Sequence, residues 1–221
     1  MPVQPLVGTI VATVVCAAVL LTGQMRPIAA AEPIKIVALG DSLTAGFGLP
    51  PGAAFPARLE AALRAKGHAV QIANAGVSGD TPAGGLARLD WSVPDGTEAV
   101  ILELGANDGL RGADPSVTRT ALDTILRRLK ERNIAVLFAG MRAPRNMGAQ
   151  YVHAFDEIFP ALAKTYDAVF YPFFLDGVVG DRALNQGDGL HPTAAGVDVI
   201  VKGILPKAEE LIARVKARRG S

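Results

Sequence analysis

The stretch VALGDSLTAGFG (residues 37–48) carries an apolar run directly into a glycine, an acid and a serine. The run before Gly40 is typical of a buried strand, and the residues after it leave room for the first turn of a helix. An ordinary turn does not need an acid and a serine side by side. This junction therefore predicts a strand-to-helix turn that places two polar side chains, Asp41 and Ser42, at the end of a buried strand.

Further along the chain, short apolar runs rich in Ile, Val and Ala are separated by segments with helical periodicity. The runs are residues 34–39, 70–73, 99–104, 134–139 and 168–171. Because strands that alternate with helices pair in parallel, and because these runs are apolar on both faces, we expect a parallel sheet covered by helices on both sides. With right-handed crossovers this is an open three-layer α/β/α fold, whose ligands bind beyond the carboxyl ends of the strands.

Helix limits follow from capping residues and apolar spacing. Asp114, followed by proline, is typical of an N-cap, and apolar residues then recur at three- and four-residue steps until Asn133. A last helix is predicted with Thr193 as its cap, and Pro206 is expected to kink it or split it in two. Residues 150–164 are predicted to form a single helix.

The composition is that of one compact domain. The chain has 221 residues, 50% of them hydrophobic, and a formal net charge of +1 from 22 basic and 21 acidic residues. No basic stretch of the size that nucleic-acid binding requires is present, so nucleic acid is not an expected partner. No internal repeat or second domain is apparent, and we expect the protein to act as a monomer.

The first 31 residues have the pattern of an export signal. Residues 6–21 are uncharged and almost wholly apolar, and Ala29-Ala30-Ala31 has the small-x-small form of a cleavage site. At sixteen residues the run is shorter than the roughly 20 that span a bilayer, which favours cleavage over the alternative of an uncleaved N-terminal anchor. We therefore expect residues 32–221 to form the exported domain. The only cysteine, Cys16, would be removed, which excludes thiol catalysis from that domain.

Small polar residues follow several of the predicted strands and precede the last helix. These segments are Gly40-Asp41-Ser42, Asn74 to Thr81, Gly105 to Gly109, and Asp188 to Pro192. The carboxyl ends of parallel strands meet at one edge of a sheet, so we expect the four segments to lie close together.

This edge offers a nucleophile, a base and an acid. Ser42 by itself could be a helix N-cap, but His191 is the one histidine predicted in a loop on the same edge, since His68 lies in a turn at the opposite edge and His153 within a helix. Asp188 is three residues before His191 and can orient its imidazole. Together they predict a Ser-His-Asp triad, with the alternative that Asp188 caps the last helix.

Acyl transfer through such a triad also needs donors aimed at the oxyanion. The backbone N–H of Ser42, the backbone of Gly79 and the side-chain amide of Asn107 are candidates on the same edge. Both Gly79 and Asn107 could instead be turn residues, because both residue types tolerate left-handed backbone. Asp41 is not a triad member in this interpretation, and we expect it to accept backbone N–H bonds and brace the turn.

The four segments resemble the conserved blocks of the SGNH, or GDSL, esterase and lipase family, in their usual order. The sequences SGDT, GLARL (85–89) and LELGANDGLRG (102–112) are similar to the family's bacterial exported thioesterase, lysophospholipase and arylesterase group. The resemblance implies a flavodoxin-like sheet, Ser42 as nucleophile, and hydrolysis of aryl esters, lysophospholipids or acyl-CoA in the periplasm. It implies no metal or organic cofactor, and it places Met141, Arg142 and Pro144 along an acyl-chain groove.

Other functions are compatible with parts of this pattern. Asp41, Asp108 and Asp188 at strand ends could hold Mg²⁺ for phosphoryl transfer, although that function leaves His191 and Asn107 without a role. A non-catalytic binding module on the same fold is a second alternative. Within hydrolases, a carbohydrate acetylesterase is a third alternative, because the triad does not determine specificity for the alcohol part of the substrate.

Overall fold

One parallel sheet positions the functional residues. The computed structural model describes residues 1–3 and 32–220, and internal contacts divide the chain into the units Met1–Ala30 and Ala31–Ser221. The strands described in the second unit are β1 (Ile34–Gly40), β2 (Val70–Gly76), β3 (Ala99–Glu103), β4 (Ala135–Ala139) and β5 (Val169–Tyr171). Their order is β2-β1-β3-β4-β5 and all pairs are parallel. This confirms the predicted α/β architecture with flavodoxin-like strand order.

Helices cover both faces of the sheet. In the described part of the chain they are α1 (Ser42–Ala45), α2 (Phe55–Ala65), α3 (Pro82–Ala87), α4 (Leu89–Ser92), α5 (Ala106–Arg111), α6 (Pro115–Glu131), α7 (Ala149–Asp156), α8 (Ile158–Tyr166) and α9 (Ala194–Arg219). Helices α2 and α9 pack against each other on one face, while α6 packs against α3, α8 and β4 on the other. The result is the predicted three-layer arrangement.

Strand burial follows position in the sheet. In β1 every residue except Lys35 is buried, and all of β3 is buried, as expected for interior strands covered on both faces. The prediction of two apolar faces is wrong for β2, because β2 is an edge strand whose Gln71, Ala73 and Asn74 are exposed. The carboxyl ends of β1, β2 and β3 are in register, with Gly40 beside both Gly76 and Glu103.

The predicted helix caps are present. Asp114 caps α6, where its side chain accepts from the N–H of Ser116, and Thr193 caps α9, where its hydroxyl accepts from the N–H of Gly196. These bonds satisfy N–H groups that have no partner within the helix. Helix α9 continues through Pro206 to Arg219, so the predicted split is absent.

Residues 150–164 do not form the single helix predicted for them. Helix α7 ends at Asp156 and α8 begins at Ile158, with Glu157 between them. Pro160 lies in the first turn of α8, and a proline ring clashes with the carbonyl four residues earlier, which here belongs to Asp156. The break therefore has a local cause in the sequence.

The predicted export segment, residues 1–31, lies outside the described residues except for Met1–Val3. Among the helices that the structure describes, none has both the length and the hydropathy needed to cross a bilayer.

Candidate active site

Ser42 is the first residue of α1, directly beyond the carboxyl end of β1. Asp41 caps this short helix, since its Oδ1 accepts from the N–H of Leu43 at 2.9 Å, and Gly46 ends it with a left-handed backbone (φ 80°). Asp41 therefore braces the turn as predicted. The Ser42 side chain is held at a fixed position between a strand end and a helix N-terminus, where partial positive charge favours a developing anion.

A chain of short hydrogen bonds runs from Ser42 through His191 to Asp188. His191 Nε2 is 2.8 Å from Ser42 Oγ, and His191 Nδ1 is 2.6 Å from Asp188 Oδ2. Asp188 Oδ1 also accepts from the backbone N–H groups of His191 and Leu190. The backbone N–H and imidazole of His191, together with the N–H of Leu190, lower the pKa of Asp188 from 3.8 to about 2. Asp188 is thus a carboxylate that can orient the imidazole at any ordinary pH.

The loop carrying His191 is tied to the chain around Ser42. The side-chain amide of Gln186 donates to the carbonyl oxygens of Phe47 and Pro192, at 2.7 and 2.9 Å, and its backbone N–H donates to the carbonyl of His191. The Phe47 ring lies against the imidazole, with 4.5 Å between ring centroids, although Phe47 as a residue is 49% exposed. Sequence reasoning missed Gln186.

The predicted oxyanion donors all lie on the same edge of the sheet. Gly79 has a left-handed backbone (φ 81°), and among the described residues none accepts a hydrogen bond from the N–H of Ser42 or Gly79. Asn107, in the first turn of α5, donates from Nδ2 to the carbonyl of Asp80 at 2.9 Å, and Nδ2 lies 3.3 Å from Asp41 Oδ2. The contact with Asp41 is the longer of the two.

A largely apolar cleft of about 480 Å³ begins at Ser42 and His191. Met141, Arg142 and Pro144 line it, as the family resemblance implies. Its other described lining residues are Leu43, Ala106, Asn107, Leu110, Ala143, Arg145, Phe173, Leu175, Val179, Asn185, Gly189 and Leu190. The guanidinium of Arg142 stacks over the Phe173 ring at 4.8 Å. A cleft of this volume and lining suits a small ligand with an apolar part.

Comparison with known proteins decides the family. The sequence profile of the GDSL-like lipase/acylhydrolase family matches residues 38–199. The chain belongs to this family. Among curated proteins, the esterase TesA of Pseudomonas aeruginosa is 36% identical over 197 residues, which are 89% of this chain and 95% of that protein. The thioesterase 1/protease 1/lysophospholipase L1 of Escherichia coli K12 is 38% identical over 185 residues, 83% and 86% of the two chains.

Solved structures agree with this assignment. The crystal structure of AlinE4, an SGNH-hydrolase family esterase, is 48% identical, covers 81% of this chain and 96% of that chain, and has a TM-score of 0.69. The predicted resemblance is therefore confirmed. As a GDSL family member with such relatives, the protein is a hydrolase of ester bonds, and its substrate is a small-molecule ester.

Beneath the site of this GDSL hydrolase lie two buried carboxyl groups, one of which sequence reasoning missed. Glu103 is 0% exposed, and its Oε2 accepts from the hydroxyl of Thr44 at 2.6 Å and from the N–H of Asp41 at 3.4 Å. Burial raises the pKa of Asp41 from 3.8 to about 6. Burial, reinforced by the charge of Asp41, raises the pKa of Glu103 well above 4.5. The sequence did carry a signal for Glu103, which is an acid inside an otherwise apolar strand.

The three aspartates of the Mg²⁺ alternative are not brought together. Asp41 is bonded to Leu43, Asp188 to His191, and Asp108 Oδ2 accepts from the hydroxyl of Thr118 at 2.8 Å. Within the part of the chain that the structure describes, no three His, Cys, Asp or Glu side chains are grouped to hold a metal ion.

Proposed function

We propose that the protein hydrolyses carboxylic esters and thioesters through a Ser42-His191-Asp188 triad and an acyl-enzyme. Ser42 Oγ attacks the acyl carbonyl carbon while His191 Nε2 takes the hydroxyl proton. His191 then gives this proton to the departing alcohol or thiol as the acyl C–O or C–S bond breaks. In the second half, water gives a proton to His191 and attacks the acyl carbon, and the acid is released as Ser42 regains its proton.

The observation that carries this proposal is the unbroken pair of contacts, 2.8 Å from Ser42 Oγ to His191 Nε2 and 2.6 Å from His191 Nδ1 to Asp188 Oδ2. Both distances are within hydrogen-bond reach for a nucleophile, its base and the orienting acid. The carboxylate form of Asp188 favours the tautomer with the proton on Nδ1, which leaves Nε2 free to accept the proton of Ser42.

The proposed oxyanion hole consists of the backbone N–H groups of Ser42 and Gly79 and the side-chain Nδ2 of Asn107. Its support is that the two N–H groups have no acceptor among the described residues, and that Asn107 lines the cleft beside Ser42. When the carbonyl oxygen becomes negative, it replaces the long contact of Asn107 with Asp41. Hydrogen bonds preorganised in this way lower the energy of the tetrahedral intermediate.

We further propose that the acyl chain lies along Met141, Arg142 and Pro144. Aryl esters, lysophospholipids and acyl-CoA are the candidate substrates, because the cleft walls are mainly apolar while Arg142 places a guanidinium at the cleft. Arginine on an aromatic face keeps its N–H edges available to a negatively charged group such as a phosphate. That the chain is exported, that residues 32–221 form one domain and that it acts as a monomer are also proposed, on the sequence pattern alone.

The deciding experiment is a chain-length series of p-nitrophenyl esters, from acetate to palmitate, with a parallel acyl-CoA series. Wild type is compared with Ser42→Ala, and labelling by a fluorophosphonate reports the nucleophile directly. We expect Ser42-dependent hydrolysis with a maximum at medium or long chains. Activity on acetate alone would instead support a carbohydrate or aryl acetylesterase. Undiminished turnover or labelling of Ser42→Ala would refute the triad. A wild-type protein that neither hydrolyses these substrates nor reacts with the fluorophosphonate would indicate a binding module.

A further inference from the structure

Arg88 is a buried arginine whose role the proposed reaction does not explain. It lies between α3 and α4 within the GLARL sequence and is only 7% exposed. An arginine is seldom buried to this degree unless its charge and its N–H groups are paired. Its contacts therefore show what the fold uses this side chain for.

The guanidinium of Arg88 joins three segments at the carboxyl edge of the sheet. Nη2 donates to the carbonyl of Gly40 at 2.9 Å, and Nη1 donates to the carbonyl of Ala75 at 2.8 Å. Nε donates to Asp80 Oδ2 at 2.7 Å, and Nη1 also reaches Ser92 Oγ at 3.0 Å. Gly40 is the last residue of β1, Ala75 is near the end of β2, and Asp80 lies in the loop after β2. One planar side chain thus fixes the distance between two strand ends and a loop.

All three proposed oxyanion donors are attached to these segments. Ser42 follows Gly40 by two residues, and Gly79 immediately precedes Asp80. Asn107 is connected through the same residue, because its Nδ2 donates to the carbonyl of Asp80 at 2.9 Å. Asp80 Oδ1 in turn accepts from the N–H of Thr81, so the loop conformation depends on the carboxylate that Arg88 binds.

We propose that Arg88 is a positioning residue for the oxyanion hole, an inference that rests on the proposed function. Through Asp80 it places the Gly79 N–H and the Asn107 amide, and through the Gly40 carbonyl it sets their distance from the Ser42 N–H. Donors must stand about 3 Å from the developing oxyanion to be effective, so a small displacement of the loop weakens catalysis. Arg88 itself touches neither the nucleophile nor the base.

The test compares an ester with its thionoester, in which sulfur replaces the carbonyl oxygen. The charge of the tetrahedral intermediate then lies on sulfur, which is a weak hydrogen-bond acceptor. The kcat/KM of the ester divided by the kcat/KM of the thionoester therefore measures the contribution of the oxyanion donors. This ratio is unaffected by a loss of folded enzyme, since that lowers both rates equally. A purely structural role of Arg88 would leave this ratio unchanged.

The variants are Arg88→Lys, which keeps the charge but loses the planar set of donors, and Asp80→Asn, which keeps the shape of the loop residue. Arg219→Lys is the matched control, because Arg219 also joins an acid, Glu98, to the backbone carbonyls of Glu32 and Pro33, at the opposite end of β1. We expect Arg88→Lys to lower the ratio about tenfold, part of the hundred- to thousandfold that one donor contributes. Asp80→Asn should lower it less, and Arg219→Lys should leave it at the wild-type value.

An unchanged ratio in Arg88→Lys, with Ser42-dependent ester hydrolysis intact, would overturn the role of Arg88 alone, whatever the result for Asp80→Asn. A wild type whose ester hydrolysis survives Ser42→Ala would overturn the proposed function, and this inference with it. A lowered ratio in Arg88→Lys, with the control at the wild-type ratio, supports the role.

Discussion

The two buried carboxyl groups below Ser42 predict that this GDSL hydrolase loses stability as the pH rises from 4 to 7. Burial raises the pKa of Asp41 from 3.8 to about 6, and burial with the neighbouring Asp41 charge raises the pKa of Glu103 well above 4.5. Between the unfolded and the folded pKa, the folded chain binds more protons than the unfolded chain. The contribution of these two groups to the free energy of unfolding must therefore fall through this pH range.

The size of the effect follows from the pKa of Asp41. A rise from 3.8 to about 6 corresponds to a loss of about 3 kcal/mol, at roughly 1.4 kcal/mol for each pH unit. Glu103 adds to this loss in the same direction. Asp188 acts with the opposite sign, because its pKa of about 2 stabilises the fold above pH 4 and this stabilisation is lost only as the pH falls toward 2. Asp188 therefore does not mask the decline between pH 4 and 7. The lowered pKa values of Glu98, Glu209 and Glu210 also oppose the decline, because each of these groups adds stability as the pH rises through 4.5, and the part due to Asp41 is therefore isolated by comparing wild type with Asp41→Asn.

The assay is urea unfolding of the full chain, followed by far-ultraviolet circular dichroism from pH 4 to pH 7. Asp41→Asn should remove about 3 kcal/mol of the pH-dependent loss, and Glu103→Gln should remove a further part, whatever either change does to stability at pH 4. The exposed Asp198 in α9 provides the control, Asp198→Asn, which should leave the loss at its wild-type value. An Asp41→Asn profile parallel to that of wild type would refute the reasoning, because the pH-dependent loss would then not come from Asp41.

Three further changes test the site with steady-state kinetics or thermal unfolding. Asn107→Ala should lower kcat on a p-nitrophenyl ester about a hundred- to thousandfold with little change in KM, because an oxyanion donor acts mainly in the transition state. Asp188→Asn should lower kcat by less than the roughly 10⁴-fold loss that this change causes for a buried triad acid, since the Asp188 side chain is 38% exposed and water can replace part of its role. Gly40→Ala should lower the melting temperature through a loss of about 1–3 kcal/mol, because the new methyl carbon would meet the Thr44 hydroxyl and lie 2.6 Å from the Glu103 carbonyl oxygen.

Each of these expectations has a contrary result. An Asn107→Ala enzyme that changes in KM but not in kcat would indicate a binding role for the amide. Full activity of Asp188→Asn would show that His191 is oriented by something other than this carboxylate. A Gly40→Ala protein with the wild-type melting temperature would mean that the strand end can move away from Glu103.

The fold could be predicted because the interior strands are apolar on both faces and end at polar segments. β1 and β3 begin at the predicted residues and end one residue away from the predicted position. β2 was predicted three residues too short, since its last residues, Asn74 to Gly76, have no apolar pattern and pair only through their backbone. The division at Glu157 was missed because apolar spacing continues across it, and only Pro160 marks the break.

That Ser42, His191 and Asp188 lie together could be predicted, because the topology brings a small number of chemically distinctive residues to one edge. The residues that support these side chains and the surrounding loops could not be predicted, because their hydrogen-bond partners are main-chain atoms. Gln186 binds the carbonyls of Phe47 and Pro192, and Arg88 binds those of Gly40 and Ala75. A carbonyl has no sequence signature, so such contacts become visible only when the chain is folded.

The residues of the opening segment each have a separate physical task. Gly40 is not required for an unusual backbone angle, since its φ is not positive, but for space, because Thr44 and Glu103 occupy the position of a Cβ atom. Asp41 caps α1, which fixes Ser42 in the direction of His191. The close approach of Glu103 is therefore linked to the glycine: a Cβ at position 40 would lie 2.6 Å from Glu103 Oε2, so the two side chains compete for one volume, while the contacts with the Thr44 hydroxyl and the backbone carbonyl of Glu103 do not depend on the acid. For this reason replacing Glu103 with a smaller residue should make Gly40→Ala less damaging, and a double-mutant cycle with Glu103→Ala would measure the coupling as a gain relative to the sum of the single changes.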